Sequence, residues 1–352
     1  MKNNSKNIKS RQVKPERLCA YVIYLSSLAF TVMFVFGCNQ SPQTTYRRPD
    51  STFVNNLMPE AVQILKQSLA DQNPYIRVNA IEAVATTRQI SLMPKVQRLL
   101  KDEFVPVRFA AALAVGDVEY RLAKRQVMQL LKDTDENVKI AAAFAMYKLG
   151  STESFELLRK AITNKNQLVR ANATMLMGKS GDKRAIEPLS WVMKDENSHP
   201  KVRFQAVEST AMLGDKEILA KIWPMLISAY ADDRAMGIRA LGALGTTKAK
   251  DVLITKLDDR ILDIRLLAAG QLGMLGDTTG LPQVRDAFTN KSLTADLDKR
   301  GLERVNMLAA MAIGQIGDAS LTKFLPQLMQ NESKLVRLAA AQAVLRCAGK
   351  KG

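Results

Sequence analysis

Hydrophobic positions in this chain recur in similar blocks, such as ENVKIAAAFAMYKLG and LDIRLLAAGQLGMLGD. Within a block the apolar residues have the spacing and density of a buried helix. One position in each block is basic, or once asparagine, and these nine anchors are Arg77, Arg108, Lys139, Arg170, Arg203, Arg234, Arg265, Asn306 and Arg337. The steps between them are 31, 31, 31, 33, 31, 31, 41 and 31 residues. A period of this length predicts a repeat architecture.

Small residues mark two further places in each repeat. The third residue after each anchor is Ala or Gly: Ala80, Ala111, Ala142, Ala173, Ala206, Gly237, Ala268, Ala309 and Ala340. The eleventh is glycine in six repeats, usually followed by Asp: Gly150, Gly181, Gly214, Gly245, Gly276 and Gly317. A small residue lets two helices approach closely, while a glycine ends one helix and an aspartate caps the next. Each repeat is therefore predicted to be a helical hairpin.

The second helix of a repeat has its own apolar stripe. Phe155, Leu158 and Ile162 form one example, with the spacing of a single buried helix face. One hairpin cannot bury such a stripe alone, so neighbouring hairpins must stack. The predicted fold is all-α, an α-solenoid (superhelix) of about nine hairpins over residues 57–352.

The repeat resembles the short HEAT repeats of the phycobilisome-lyase type. These combine an apolar residue, an arginine and an Ala-rich helix that ends in Leu-Gly before a Gly-Asp turn, as repeated here over residues 57–349. The resemblance implies a helical stack whose second helices line the concave face. It says little about function, because one stack serves many roles.

The resemblance also implies a ladder of ion pairs between adjacent hairpins. Six residues before their anchors stand Asp71, Asp102, Asp133 and Asp259, with Asn164 and Asn331 as weaker versions. We interpret the anchor arginines as structural, because a ligand site does not need one residue type in every repeat. The ladder is predicted to be interrupted at Asp233, which replaces an apolar residue, and at Asn306, which replaces the arginine.

The N-terminus has the features of an export signal. Residues 1–18 hold six basic residues and one acid, and residues 19–36 follow as eighteen residues without a charge. Val35, Gly37 and Cys38 then resemble a bacterial lipobox, in which the cysteine is lipidated and becomes the new N-terminus. We predict a signal peptide or signal anchor over residues 1–37, and a flexible polar linker over residues 38–56 from lipidated Cys38.

Alternatives to this interpretation stay open. Phe36 is bulkier than lipobox residues usually are, and eighteen apolar residues can also span a bilayer as an uncleaved helix. A buried hydrophobic helix is the third possibility. The first two place the chain in the bacterial cell envelope, either lipid-anchored (at the outer membrane or the periplasmic face of the inner membrane) or held by one N-terminal transmembrane anchor.

The net charge of the chain narrows the classes of partner that it could bind. The chain has 51 Lys and Arg against 34 Asp and Glu, and cleavage before Cys38 would leave 45 against 33. A basic surface suits nucleic acid, anionic membranes or acidic proteins. Export argues against nucleic acid, so a nucleic-acid-binding HEAT protein is the alternative only if the chain is not exported.

Basic residues also recur on the second helices. The positions 17, 20, 21 and 24 residues after an anchor share a helix face. This face is predicted to bind the partner on the concave side, through Arg98, Lys101, Arg125, Lys132, Arg159, Lys160, Trp191, Lys194 and Trp223. Exposed Trp is enriched in binding hot spots, although Trp191 could instead cover a gap in the stack. The ten extra residues within 290–304 could join the binding face or simply extend a helix.

The sequence lacks the residue motifs that usually form catalytic or metal sites. Cys19, Cys38 and Cys347 form no CxxC pair, and His199 is the only histidine, so no metal site and no cofactor is predicted. Deoxyhypusine hydroxylase-like HEAT proteins hold two irons on His-Glu motifs, which this sequence lacks. Phycobilin lyase subunits share the repeat but act in another compartment. No phosphate loop, nucleophile elbow or HExxH helix occurs.

The sequence therefore predicts a non-catalytic protein-interaction scaffold of the cell envelope. The expected partner is an envelope protein offering an acidic or extended peptide, and the chain itself is expected to be a monomer held at the membrane by its lipid anchor. An enzyme or enzyme subunit of the phycobilin-lyase or oxidoreductase type is the alternative.

Overall fold

The computed structural model describes residues 51–349, which form α-helices and short 3-10 turns and contain no strand. Nineteen α-helices are numbered here along the chain. The nine anchor-bearing first helices are α2 (Pro74–Thr86), α4 (Val105–Asp117), α6 (Glu136–Lys148), α8 (Gln167–Ser180), α10 (Pro200–Met212), α12 (Ala231–Leu244), α14 (Leu262–Met274), α16 (Lys299–Ile316) and α19 (Lys334–Gly349). The all-α repeat prediction is confirmed.

The second helices are shorter. They are α3 (Met93–Arg98), α5 (Lys124–Leu130), α7 (Phe155–Ala161), α9 (Ile186–Lys194), α11 (Leu219–Leu226), α13 (Thr247–Thr255), α15 (Leu281–Thr289), and the pair α17 (Ala319–Thr322) and α18 (Leu325–Met329). The 3-10 turns are Ile90–Leu92, Leu99–Lys101, Arg121–Ala123, Thr152–Ser154, Lys183–Ala185, Lys216–Ile218, Lys256–Asp258 and Lys291–Leu293. We number the repeats 1 to 9 by their first helices.

The helical part starts earlier than predicted. Helix α1 spans Ser51–Ser68 and so begins within the stretch 38–56 predicted as a linker. Its buried residues Val54, Ala61 and Leu65 are spaced along one face, which explains why this stretch is helical. Cys38 and the predicted signal peptide lie outside the described residues.

The predicted turn glycines have the expected backbone. All six, from Gly150 to Gly317, have φ between 63° and 100°, a region that side chains with a Cβ rarely adopt. In repeats 1 and 2 the same place is taken by Arg88 and Glu119, whose φ angles of 51° and 53° are also positive. The turn geometry is thus kept even where the glycine is missing.

The first helices form the inner layer. Each packs along the next, whereas the second helices pack mainly on first helices. Helix α8 buries every residue from Val169 to Gly178, and a Cβ on Gly178 would lie 2.7 Å from Ser209 Cα of α10. Small residues therefore bring the first helices so close that the stack curves around them.

The stack closes into a ring. Helix α1 packs against α19, and α19 also contacts α2, so the last repeat meets the first. Three hydrogen bonds cross this seam: Gln330 Nε2 to Glu60 Oε1 at 2.5 Å, Lys334 Nζ to Asp71 Oδ2 at 2.6 Å, and Gln342 Nε2 to Thr86 Oγ1 at 2.7 Å. Helix α1 thereby takes the place of a second helix for repeat 9.

The predicted ladder of ion pairs is present. Anchor arginines bind the aspartate 25 residues later in the pairs Arg77–Asp102, Arg108–Asp133, Arg170–Asp195 and Arg234–Asp259, at 2.5–2.8 Å. No described arginine lies 25 residues before Asp71, which instead forms an ion pair with Lys334 across the seam. Although burial alone would raise the pKa of Asp133, the hydrogen bond from Arg108 holds that pKa below its usual value.

The interruption predicted at Asp233 is wrong. Arg234 still binds Asp259, while Asp233 accepts hydrogen bonds from Lys201 Nζ at 2.6 Å and Ser228 Oγ at 2.8 Å. A carboxylate replaces the apolar residue here because a neighbouring ammonium group neutralises it.

The insertion at 290–304 extends a helix. It contains the 3-10 turn Lys291–Leu293, and α16 begins at Lys299, which makes it 18 residues long. Arg304 of this extension forms an ion pair with Asp263 of repeat 7. The insertion therefore forms a 3-10 turn and lengthens α16, and a role for it in binding stays a prediction.

Candidate interaction site

The predicted partner-binding residues all lie on the exposed surface of second helices or of the turns that follow them. The seven basic members are exposed: Arg98, Lys101, Arg125, Lys132, Arg159, Lys160 and Lys194. Of these, Arg159 pairs with Glu156 at 2.6 Å. The other six make no ion pair with any residue between 51 and 349. We call the seven residues the basic row.

The basic row does not lie on the concave side. The closely packed first helices occupy the inside of the closed ring, so the second helices and the basic row are on its outer surface. The prediction of a concave basic groove is wrong for a physical reason. The first helices have the smaller residues at their contacts. They therefore pack more closely than the second helices and form the layer with the shorter circumference.

Two tryptophans extend the basic row. Trp191 on α9 is 46% exposed and Trp223 on α11 is 53% exposed, and beside Trp223 stand Ile227 at 66% and Tyr230 at 73%. These four residues, here the aromatic patch, belong to repeats 4 and 5. Since the seam joins repeats 9 and 1, the aromatic patch lies on the far side of the ring from the helix through which the chain enters.

The inside of the ring carries charges that the sequence did not reveal as a group. Seven ionisable side chains come from seven different first helices: Glu82, Asp117, Lys148, Lys179, Glu208, Arg239 and Arg346. Lys179 Nζ of α8 lies 3.2 Å from Asp117 Oδ2 of α4. Because α6 stands between those helices, this contact crosses the ring interior. Their only sequence signal is a charge, five or nine residues after an anchor, within an Ala-rich helix.

Burial shifts the titration of this interior cluster. Desolvation raises the pKa of Glu82 to about 8, against the smaller effects of Lys179 and Arg346, which lower it. Desolvation likewise raises the pKa of Asp117, although Lys179 lowers it. For Arg346, burial lowers the pKa of the guanidinium while Glu82 raises it. Glu82 is therefore mostly protonated at neutral pH.

Within the described residues no group of three or more His, Cys, Asp and Glu side chains could hold a metal ion. His199 instead caps α10, since its Nδ1 accepts the backbone N–H of Lys201 at 3.2 Å. Over the same residues, none of the helices has the length and apolar character needed to cross a membrane.

Comparison with known proteins identifies the repeat. A sequence profile of HEAT repeats matches residues 92–177, 125–211 and 156–236. The chain contains HEAT repeats. The matched segments hold repeats 2 to 5, which carry most of the basic row and both tryptophans.

Three known proteins illustrate what the chain is similar to. Deoxyhypusine hydroxylase of Danio rerio is 29% identical over 84 residues, which are 24% of this chain and 26% of that protein. The chain thus spans about a quarter of the length of this curated relative. Human deoxyhypusine hydroxylase in complex with glycerol is 16% identical, with 74% of this chain and 97% of that chain covered and a TM-score of 0.36. The complex of CpcE and CpcF of phycocyanin lyase from Nostoc sp. PCC7120 is 18% identical, with 72% and 94% covered and a TM-score of 0.38.

Proposed function

We propose that this HEAT-repeat chain is a non-catalytic scaffold of the bacterial cell envelope that binds a protein partner on the outside of its ring. The observation that carries the proposal is the basic row, because six of its cations are exposed without an ion pair. Exposed cations attract an acidic partner and accelerate its association. The aromatic patch at the end of the row offers the large rigid side chains that anchor protein interfaces.

The position of the aromatic patch on the ring supports a protein, rather than the bilayer, as the partner. Residues 38–50 precede α1 at the seam, and a chain of this length spans at most about 45 Å when fully extended. A ring tethered through Cys38 would thus keep its seam within about 45 Å of the membrane. The aromatic patch, on the far side of the ring from this attachment point, would stay accessible to another protein.

Charge reversal tests the binding surface. Replacing Arg125, Arg159 and Lys160 together with Glu should weaken capture of the envelope partner about tenfold or more, since each factor of ten needs only about 1.4 kcal/mol. Capture is measured by pull-down from detergent-solubilised envelope at fixed salt, with mass spectrometry of the bound proteins. Helicity should not change, because all three side chains are exposed.

A matched variant separates local from global charge. Lys248→Glu, Arg285→Glu and Lys323→Glu make the same change in net charge on exposed residues of repeats 6 to 8. This variant should capture the partner like the wild type. Equal loss in both variants would show that net charge, rather than the basic row, drives binding, and unchanged capture in both would move the site elsewhere.

The anchor is tested separately. In cells fed a fatty-acid analogue, the wild-type chain should be labelled and Cys38→Ser should not, because only the cysteine sulfur can carry the lipid. Cys19→Ser is the matched control and should keep the label. A label that persists in Cys38→Ser would contradict the lipobox and favour an uncleaved anchor.

A further inference from the structure

The free cations of the basic row lie on two lines that cross the repeats. Six of its members make no ion pair within residues 51–349. Five of these six are exposed residues that stand 21 or 24 residues after their anchors: Arg98 and Lys160 at position 21, and Lys101, Lys132 and Lys194 at position 24. Position 17, by contrast, carries the exposed acids Glu156 and Glu187 in repeats 3 and 4. An acidic ligand is therefore attracted along positions 21 and 24 and repelled from the edge at position 17.

Both lines change from cationic to apolar at the aromatic patch. Position 21 holds Lys160 in repeat 3 and Trp191 in repeat 4. Position 24 holds Lys194 in repeat 4 and Ile227 in repeat 5, where Trp223 stands at position 20. The first four repeats thus offer charge, and the fourth and fifth offer apolar surface. A ligand that fits both lines has its acidic and apolar residues in the same order.

The step between repeats sets the spacing along such a ligand. The second layers of neighbouring repeats touch, since Gln97 Nε2 of α3 donates a hydrogen bond to the carbonyl oxygen of Leu122, just before α5, at 3.5 Å. Helices packed side by side are about 8–10 Å apart. An extended chain advances about 3.3 Å per residue, so one repeat corresponds to about three ligand residues. Repeats 1 to 5 therefore take a segment of about 12 residues.

We propose that the partner binds through an extended segment that is acidic at about every third residue along repeats 1 to 4 and apolar where it meets Trp191, Trp223 and Ile227. This inference rests on the proposed function, because it specifies what the basic row and the aromatic patch bind. Carboxylates along the segment would complement the exposed cations, and its apolar end would cover the two indole rings. An extended chain can follow the outward curve of the ring, whereas a rigid convex partner would meet only one or two repeats.

Tryptophan fluorescence tests the proposal directly, because Trp191 and Trp223 are the only tryptophans of the chain and both are exposed. The full chain is reconstituted in phosphatidylcholine liposomes and titrated with tryptophan-free synthetic peptides of about 12 residues. Two peptides carry aspartates at every third residue of one half and leucines in the other half, in opposite orders, since an extended chain can lie in either direction. A third peptide of the same composition alternates the two residue types.

One ordered peptide should shift the tryptophan emission to shorter wavelength and bind about tenfold or more tightly than the alternating peptide. Its affinity should fall as salt is raised, because salt screens exposed ion pairs. Lys132→Glu with Lys160→Glu should weaken its binding about tenfold, and Ile227→Ser should weaken it while keeping both tryptophans as reporters. Lys248→Glu with Lys323→Glu changes exposed residues of repeats 6 and 8 and should bind the peptide like the wild type.

Equal affinity for all three peptides, or binding of none, would overturn the inference, and so would equal weakening in the two charge-reversed variants. If the pull-down nevertheless loses its partner when the basic row is reversed, the proposed function stands without this inference. If the pull-down is unchanged as well, both fail. An emission shift without peptide in liposomes of equal parts phosphatidylcholine and phosphatidylglycerol, unmatched by either ordered peptide, would assign the surface to the bilayer instead.

Discussion

Replacing Arg239 with Met is expected to lower the free energy of unfolding by about 3–5 kcal/mol, because it leaves a carboxylate buried without its partner. Arg239 of α12 binds Glu208 of α10 in a bidentate pair, with Nε–Oε1 at 3.0 Å and Nη2–Oε2 at 3.1 Å. The two side chains are only 2% and 6% exposed. Urea unfolding followed by circular dichroism at pH 7 measures the loss.

A double variant shows how much of this loss comes from the unpaired charge. Arg239→Met with Glu208→Leu removes both charges and should be more stable than Arg239→Met alone, since buried pairs can often be exchanged for apolar residues at little cost. Arg285→Met, on the surface, is the control and should change stability little. A double variant no more stable than the single one would mean that packing around Arg239, rather than charge, is what stabilises this place.

Glu82→Gln is expected to make the protein more stable than the wild type at alkaline pH. The pKa of Glu82 rises from its usual 4.5 to about 8 in the folded protein. The folded state therefore binds a proton more tightly than the unfolded state between these pH values. The stabilisation that the Glu82 proton contributes is fully present below about pH 4.5. It falls by about 1.4 kcal/mol for each pH unit above that, and it is lost once the pH has risen through 8.

The measurement is urea unfolding of both proteins between pH 5 and pH 9 at constant ionic strength. The difference between them should grow with pH by several kcal/mol and level off above pH 8. Glu332→Gln removes a carboxyl group that is almost fully exposed, and its stability should follow the wild type at every pH. Parallel curves for wild type and Glu82→Gln would show that Glu82 ionises normally in the folded protein.

Local features of the fold were predictable because they depend on neighbours in the sequence. Gly181 and Gly317 have the positive φ that their place after a helix predicts. Ala173 and Ala309 are fully buried at the third position after the anchor. Even the ion pair Arg108–Asp133 follows from the repeat period, because equivalent residues of stacked hairpins are neighbours.

The direction and extent of curvature were not predictable in the same way. They depend on the small rotation added at each of eight steps, and a slight change per repeat decides whether the ends meet. The basic row, which includes Arg125 and Lys160, was predicted on the wrong side because the direction of curvature could not be predicted. The exposure of these residues was foreseen, but the side of the stack that they occupy was not.

The sequence by itself determined that this protein is a stack of about nine helical hairpins, where six of the hairpins turn, and that ion pairs join adjacent hairpins. Only the tertiary structure decided that the first helices lie inside, that α1 closes the ring against α19, and that Lys179 of α8 reaches Asp117 of α4. Hairpins and ladder rest on contacts within a repeat or between adjacent repeats, which a periodic sequence specifies directly. Closure brings together residues more than 250 positions apart, and their proximity follows from the accumulated curvature of the whole stack.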